Sequence, residues 1–228
     1  MDGFSAELCE SIRLTIELAI LTTTILLIVG TPLAWWLARS KTMLAQVVGT
    51  VVMLPLVLPQ TALGFCLLML LGPHGPGGAL ASFWGARSLA FTFAGIVVGS
   101  VLSGLPLVVQ QIQNAFIAMG DRPLEVAATL RASPLRAFFT VALPLARPNF
   151  ITAGLLGFAN TIGTFGAVLI IGGNIPGRTK VVSAFLIDYV QASRWREASW
   201  LAGGMLVFSL AVILTVTTIN TCSRRSSR

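Results

Sequence analysis

EVAATLRASPLRAFFTVALP, Glu125 to Pro144, is the one long segment of this chain whose pattern suits water and a partner rather than lipid. It reads as helix, break, helix. Asp121 is placed as an N-cap, with Pro123 in the first turn and Glu125 near the positive end of the helix dipole. Leu124, Ala127, Ala128 and Leu130 give that helix an apolar side. Ser133-Pro134 marks a second start, a capping hydroxyl followed by proline at the first helical position. Leu135, Phe138, Phe139 and Ala142 fall at i, i+3, i+4 and i+7, an amphipathic face. Pro144 and Pro148 are expected to stop the helix. An interfacial helix lying under a membrane accounts for the second helix alone, but poorly for the pair.

The rest of the 228-residue chain is greasy: 55% hydrophobic, 10% charged, mean hydropathy +0.87. Soluble domains are about 25% charged. Several runs of roughly 20 apolar residues can each cross a hydrocarbon core of about 30 Å, and each helix satisfies its own backbone there. The chain therefore reads as an all-α polytopic transmembrane bundle with about five spans. It forms a single domain, 1–228, carrying a hairpin at 121–147. The alternation of a membrane β-barrel is absent. The net charge of +7 reflects loop residues that set orientation and does not point to nucleic acid. Cys9, Cys66 and Cys222 form neither a disulfide framework nor a metal spacing. The acidic N-terminus, with Asp2, Glu7 and Glu10, does not resemble a cleaved signal peptide.

Residues 4–13 suggest a short interfacial helix, and the first span is about Leu14–Leu37. Glu17 reaches the interface, and Trp35 and Trp36 suit an aromatic belt. The second span, about Leu44–Leu71, carries Pro55 and Pro59 and is expected to bend. Pro73–Gly78 is a loop that holds the lone histidine, His74. The third span, about Leu89–Val109, has a Gly95/Gly99 pair suited to close packing. The fourth, about Phe150–Ile171, is rich in small and polar residues: Gly154, Gly157, Asn160, Thr161, Gly163, Thr164 and Gly166. Such a span packs tightly or lines a pathway. A loop follows, with a short helix at Val181–Gln191, and the fifth span is about Ala198–Ile219. Arg39, Lys41, Arg122, Arg131, Arg136, Arg147, Arg224, Arg225 and Arg228 share one side if the N-terminus is outside and the C-terminus inside. These are nine of the fifteen basic residues.

Gly172–Thr179, GGNIPGRT, nearly matches the phosphate-binding loop GxxxxGK[ST]. Arg178 stands at the lysine position, and a membrane span precedes the segment where the motif needs a strand. It reads as a glycine-proline turn. A second use is open to it: glycine amides with Arg178 and Lys180 facing an incoming oxyanion. No HExxH, GxSxG or intramembrane metal set supports an enzyme, although an intramembrane enzyme and a passive channel are the rivals from other classes.

The hairpin resembles the EAA motif in membrane subunits of ABC importers: Glu-Ala-Ala, three residues, Gly, nine residues, Ile, one residue, Leu-Pro. Here Glu125-Val126-Ala127 is followed at the same spacing by Arg131, Val141 and Leu143-Pro144. Arg131 replaces glycine, so either the turn is made differently or Arg131 adds a contact. Leu54–Phe65, Asn160–Ser183 and the adjacent AFLIDYVQ resemble the molybdate-type importer permeases, and with them the resemblance covers nearly the whole chain. Thr164 stands where many of those carry an acidic residue.

The resemblance implies the type I ABC importer permease fold, in the bacterial cytoplasmic (inner) membrane. It implies a homodimer with two ATP-binding cassette subunits on the cytoplasmic side and a periplasmic oxyanion-binding protein outside. ATP and Mg belong to the ATPase, and this chain binds no cofactor. Glu125, Val126, Ala127, Arg131, Val141, Leu143 and Pro144 take the ATPase-coupling role. The expected path residues are Asn160, Thr161, Thr164, Gly166, Asn174 and Arg178. The substrate this resemblance implies is molybdate, with tungstate or sulfate as alternatives.

Overall fold

The computed structural model describes residues 2–82 and 88–226, and among these the secondary structure is entirely helical. The tail residue Arg228 and the side chains of Asp2, Arg224 and Arg225 lie outside the described part. Helix α1 runs from Asp2 to Arg39 without interruption. It absorbs residues 4–13, expected as a separate helix, because neither glycine nor proline occurs between Phe4 and Val29 to break it. At 38 residues it is about 57 Å long, well beyond the hydrocarbon thickness.

Helices α2 (Met43–Val57) and α3 (Gln60–Leu71) meet at an angle of 114° across Leu58-Pro59. The bend expected in the second span is thus a complete break. Pro55 sits inside α2, whereas Pro59 is the residue ahead of α3. After a short helix α4 (Pro76–Ser82), Thr92 caps α5 (Phe93–Met119) by accepting from the Gly95 N–H at 3.1 Å. Helix α5 runs ten residues past the expected end at Val109, so Gln110, Gln111, Gln113 and Asn114 remain helical.

The hairpin comprises α6 (Arg122–Thr129), α7 (Pro134–Ala137) and a π-helical turn, Phe138–Ala142. It runs directly into α8 (Leu143–Gly163). Pro144 and Pro148 do not stop this helix, contrary to expectation. Pro144 falls in the first turn of α8, and the widened turn just ahead of it, closed by the Leu143 N–H donating to the Phe138 carbonyl, accommodates its ring. The hairpin set at 121–147 therefore has no boundary at its far end. The expected fourth span is also divided: α8 ends at Gly163 and α9 covers Gly166–Gly172. Helix α10 (Val182–Gln191) matches the short helix foreseen there, and α11 (Trp195–Ser226) is the last span.

Contacts fix the directions of the spans. The Cβ position of Gly104 lies 2.9 Å from Leu26, and that of Gly30 lies 3.4 Å from Val109, so α1 and α5 run parallel. The chain between them must therefore cross back, which makes the broken pair α2–α3 one pass. Helix α8 returns: Phe150 meets Phe116 near the hairpin, and the Val182 N–H beyond α9 bonds Thr15 near the start of α1. Helix α11 runs antiparallel to α8, with Phe158 beside Phe208 and Ile162 beside Trp200 in one groove. Among the described residues this gives four long spanning helices, and five passes with the bent pair counted as one.

Small residues set the close approaches. Gly95 and Gly99 both receive the Ile171 side chain, with an added Cβ at 3.3 and 2.6 Å. The expected GxxxG contact is real, and its partner is α9. Large apolar side chains on α2 and α11, among them Val57 and Leu206, remain exposed, as suits surfaces that meet lipid or another chain.

Candidate functional site

Ser133 starts α7 as expected, its Oγ accepting from the Arg136 N–H at 3.3 Å. Asp121 does not act as the expected cap. Its backbone is helical and its side chain makes no capping bond; instead it pairs with Arg39, Nη2 to Oδ1 3.3 Å. Between the limbs, Arg131 takes φ +57°. The Arg131 N–H donates to the Ala128 carbonyl at 2.9 Å and the Ala132 N–H to the Ala127 carbonyl at 3.1 Å. This is the paired bonding of a left-handed helix C-terminus, whose C′ residue is normally glycine. The turn is therefore the one a glycine would make, held by an arginine at a cost of about 1 kcal/mol.

The motif residues divide by exposure. Glu125, Val126, Arg131 and Pro144 are exposed, Val141 and Leu143 are half-buried, and Ala127 is buried. Val126, Ala127 and Val141 line a cleft of about 540 Å³ between the limbs, with Pro123, Leu130 and Arg136. Glu125 faces a different hollow, shared with Arg39, Lys41 and Asp121. The face expected at Leu135, Phe138, Phe139 and Ala142 is split. Ala142 is fully buried and Phe138 packs inward, while Leu135 and Phe139 are 74% and 61% exposed. Val126 and Leu130, at 60% and 78%, extend this outward apolar surface. It is interspersed with exposed Arg122, Glu125, Arg131 and Arg136. Among the described residues no cluster of His, Cys, Asp or Glu is suited to hold a metal.

A second constellation lies where the two broken spans meet. Gly166, just past the break in α8–α9, would bring a Cβ within 3.1 Å of the Gln60 Cβ, just past the break in α2–α3. Gly64 lies against the Ala167 backbone, where an added Cβ would stand 2.9 Å from the Ala167 Cα. Non-helical backbone at membrane depth is tolerated only where protein covers it or it borders a water-filled cavity. Of the expected path residues, Thr161 and Thr164 are buried, and their hydroxyls donate to the Gly157 and Asn160 carbonyls at 2.9 and 2.7 Å. Ser183 Oγ donates to the Thr164 carbonyl at 3.3 Å. Asn160 is half-buried, its Nδ2 3.6 Å from the Cβ position of Gly104.

Asn174 and Arg178 stand apart from that break, in the turn after α9. Gly173, Asn174 and Gly177 all have positive φ. Thr179 Oγ1 donates to the Gly172 carbonyl at 2.6 Å and accepts from the Ile175 N–H at 3.0 Å. Asn174 Nδ2 reaches Asp188 Oδ1 at 3.4 Å. Lys180, expected with Arg178 to face an anion, is only 12% exposed; it is ion-paired to Asp188 and lies over the Phe185 ring. Its charge is used in fixing the turn to α10. Arg178 is exposed and borders a hollow with Glu17 and Thr92. The turn follows a helix, so the phosphate-loop likeness has no structural basis.

A family model for the binding-protein-dependent transport system inner membrane component matches residues 30–227. The chain belongs to this family. As an inner membrane component it is a transport subunit rather than an enzyme, and it resides in the membrane. It is 60% identical over 206 residues to the molybdenum transport system permease protein ModB of Azotobacter vinelandii, covering 90% of this chain and 91% of that one. The ModB protein of Haemophilus influenzae is 35% identical, with 69% of each chain covered. The sulfate transport system permease protein CysT of Salmonella typhimurium is 30% identical, over 83% of this chain and 68% of that one.

Solved structures agree on the fold of this inner membrane component. A bacterial alginate ABC transporter, crystallised with an alginate pentasaccharide-bound periplasmic protein, superposes with a TM-score of 0.72. It has 15% identity and covers 96% of this chain and 79% of that one. The MetNI methionine ABC transporter in an inward-facing conformation gives 0.63 at 14% identity, covering 99% and 96%. The fold is that of type I ABC importer permeases. The sequence pattern missed the Arg39–Asp121 pair and the inward contacts of Trp35, which meets hairpin and α5 rings edge-on. Only the tryptophan and arginine at i and i+4 of one helix hinted at it.

Proposed function

We propose that the chain is the membrane-spanning permease of an ATP-driven importer of molybdate. The 60% identity to a ModB protein over nearly its full length supports molybdate. Sulfate is the second reading, favoured by the match to CysT at half that identity. Molybdate and tungstate carry the same charge, so tungstate shares the first reading.

The observation that carries the coupling role is the outward apolar surface of Val126, Leu130, Leu135 and Phe139, set among exposed charges. Apolar surface of this kind marks a docking site. We assign its partner as the ATP-binding cassette subunit, with Glu125, Val126, Arg131, Val141 and Pro144 in contact and Ala127 and Leu143 shaping the hairpin. ATP and Mg are bound by that subunit. A homodimer of this chain, two such ATPases and a periplasmic oxyanion-binding protein complete the importer.

Charge supports an orientation with the N-terminus outside and the C-terminus in the cytoplasm. The hairpin face and tail carry nine basic and two acidic residues, whereas the opposite face balances six against six. The path is assigned to the side of the α8–α9 unit with Asn160, Thr161, Thr164 and Gly166 near its break. Asn174 and Arg178 lie at its outer mouth. The Thr161 and Thr164 hydroxyls are already bonded to backbone, so their contribution is shape. Co-purification tests the docking assignment. Glu125→Lys and Leu130→Asp, both at exposed positions, are expected to release the ATPase while the permease stays in the membrane; undiminished ATPase recovery contradicts it.

A further inference from the structure

An aromatic cluster joins the hairpin to three spans. Trp35, near the end of α1, meets Phe116 of α5 edge-on, with ring centres 4.8 Å apart at 86°. It meets Phe138 of the π turn at 4.9 Å and 83°. Phe116 in turn meets Phe150 of α8 at 5.9 Å and 68°. Arg39 lies 4.4 Å above the Trp35 ring and reaches Asp121 at the head of α6. Trp35 therefore bears on both limbs of the hairpin, through Phe138 on one and through Arg39 on the other.

The placement of Phe138 matters because α7, the π turn and α8 form one continuous helical rod. Force on the hairpin either moves that rod or is absorbed where it is widened, between Phe138 and Ala142. Edge-to-face rings hold preferred angles, and a close-packed cluster resists gradual deformation. A cluster braced on the first residue of the π turn opposes flexing there.

We propose that Trp35 and Phe138 are positioning residues for energy coupling. Their edge-to-face rings make the hairpin, α1, α5 and α8 move as one body when the ATPase closes, so that hydrolysis is converted into transport rather than lost in the π turn. This inference rests on the permease reading above.

The test is the number of ATP molecules hydrolysed per molybdate imported, in proteoliposomes holding the complete importer and its binding protein. Trp35→Ala, Trp35→Leu and Phe138→Ala are expected to raise that ratio about fivefold, the factor that losing one or two edge-to-face pairs gives in a two-state balance. ATPase co-purification should be unchanged, and Trp35→Phe should restore the ratio to near its original value. A merely structural role would lower yield or thermal stability without moving the ratio. Trp35→Leu keeps bulk without the indole, so it decides the matter if the alanine variants do not assemble. An unchanged ratio in assembled Trp35→Leu importer overturns the inference and leaves the permease reading intact. Absence of ATP-dependent molybdate import by the unaltered complex overturns both.

Discussion

Arg39 and Asp121 are 82 positions apart in the chain, yet their side chains meet at 3.3 Å and join the end of the first span to the head of the hairpin. The pair replaces the capping bond that the sequence assigned to Asp121, and Gly120, at φ +69°, makes the preceding reversal. The Asp121 side chain is 79% exposed, so its ion pair is weak and screened by salt.

The two limbs of the hairpin should therefore respond differently to loss of their starting residues. Asp121→Ala is expected to cost under about 0.5 kcal/mol. Ser133→Ala removes a true cap and is expected to cost about 1 kcal/mol. Hydrogen exchange across residues 122–142 checks this: a larger loss of protection in Asp121→Ala than in Ser133→Ala contradicts it.

Arg131 occupies the left-handed position that the EAA motif gives to glycine. Arg131→Gly relieves the crowding of Cβ and is expected to stabilise the hairpin by about 0.5–1 kcal/mol, while Arg131→Val destabilises it by more than that. Protease resistance of the hairpin in membrane vesicles reports the order. Equal resistance of all three proteins would mean the residue is not held at positive φ.

Gly64 has the Ala167 Cα only 2.9 Å from where a Cβ would stand, and backbone cannot turn aside as a side-chain tip can. Gly64→Ala is expected to force α3 and α9 apart and to cost about 1–3 kcal/mol. Gly203→Ala on α11, where nothing lies within 4 Å, is the control and should cost nothing measurable. Thermal unfolding in detergent compares the two, and equal melting temperatures would contradict the packing of the two breaks.

Lys180 and Asp188 stabilise the outer turn, so either removed alone leaves a partly buried charge. Asp188→Asn is expected to cost about 1–2 kcal/mol, discounted because the aspartate is one-third exposed. Lys180→Met with Asp188→Asn should cost less than the two changes summed, by about 1 kcal/mol. Strict additivity in this cycle would separate the two side chains and free Lys180 for the anion-facing role.

Much of the fold was legible because membrane spans obey a strong rule: length, apolarity and internally satisfied backbone suffice to place them. The hairpin was legible through Ser133-Pro134 and the spacing from Glu125 to Pro144. Continuity was not. Pro144 reads locally as a stop, and the widened turn before it, which no local sequence signal announces, lets the helix continue. The division at Thr164-Phe165 was hidden for the opposite reason, since glycines in a span signal close packing and breaks alike. Contacts between distant segments, such as Trp35 with Phe138 or Lys180 with Asp188, leave no local period to find. Thr164 and Lys180 stand out in the sequence by polarity and charge, which say nothing of what the backbone or a neighbouring side chain has already bonded.

The reading proposed above, that this chain carries molybdate across the membrane at the expense of ATP, stands or falls on one assay. It is tested most directly by molybdate uptake into proteoliposomes containing the chain, its ATPase and its binding protein. Accumulation is expected to require both ATP and the loaded binding protein. Equal uptake without ATP, or ATP-driven uptake of sulfate with none of molybdate, would contradict it.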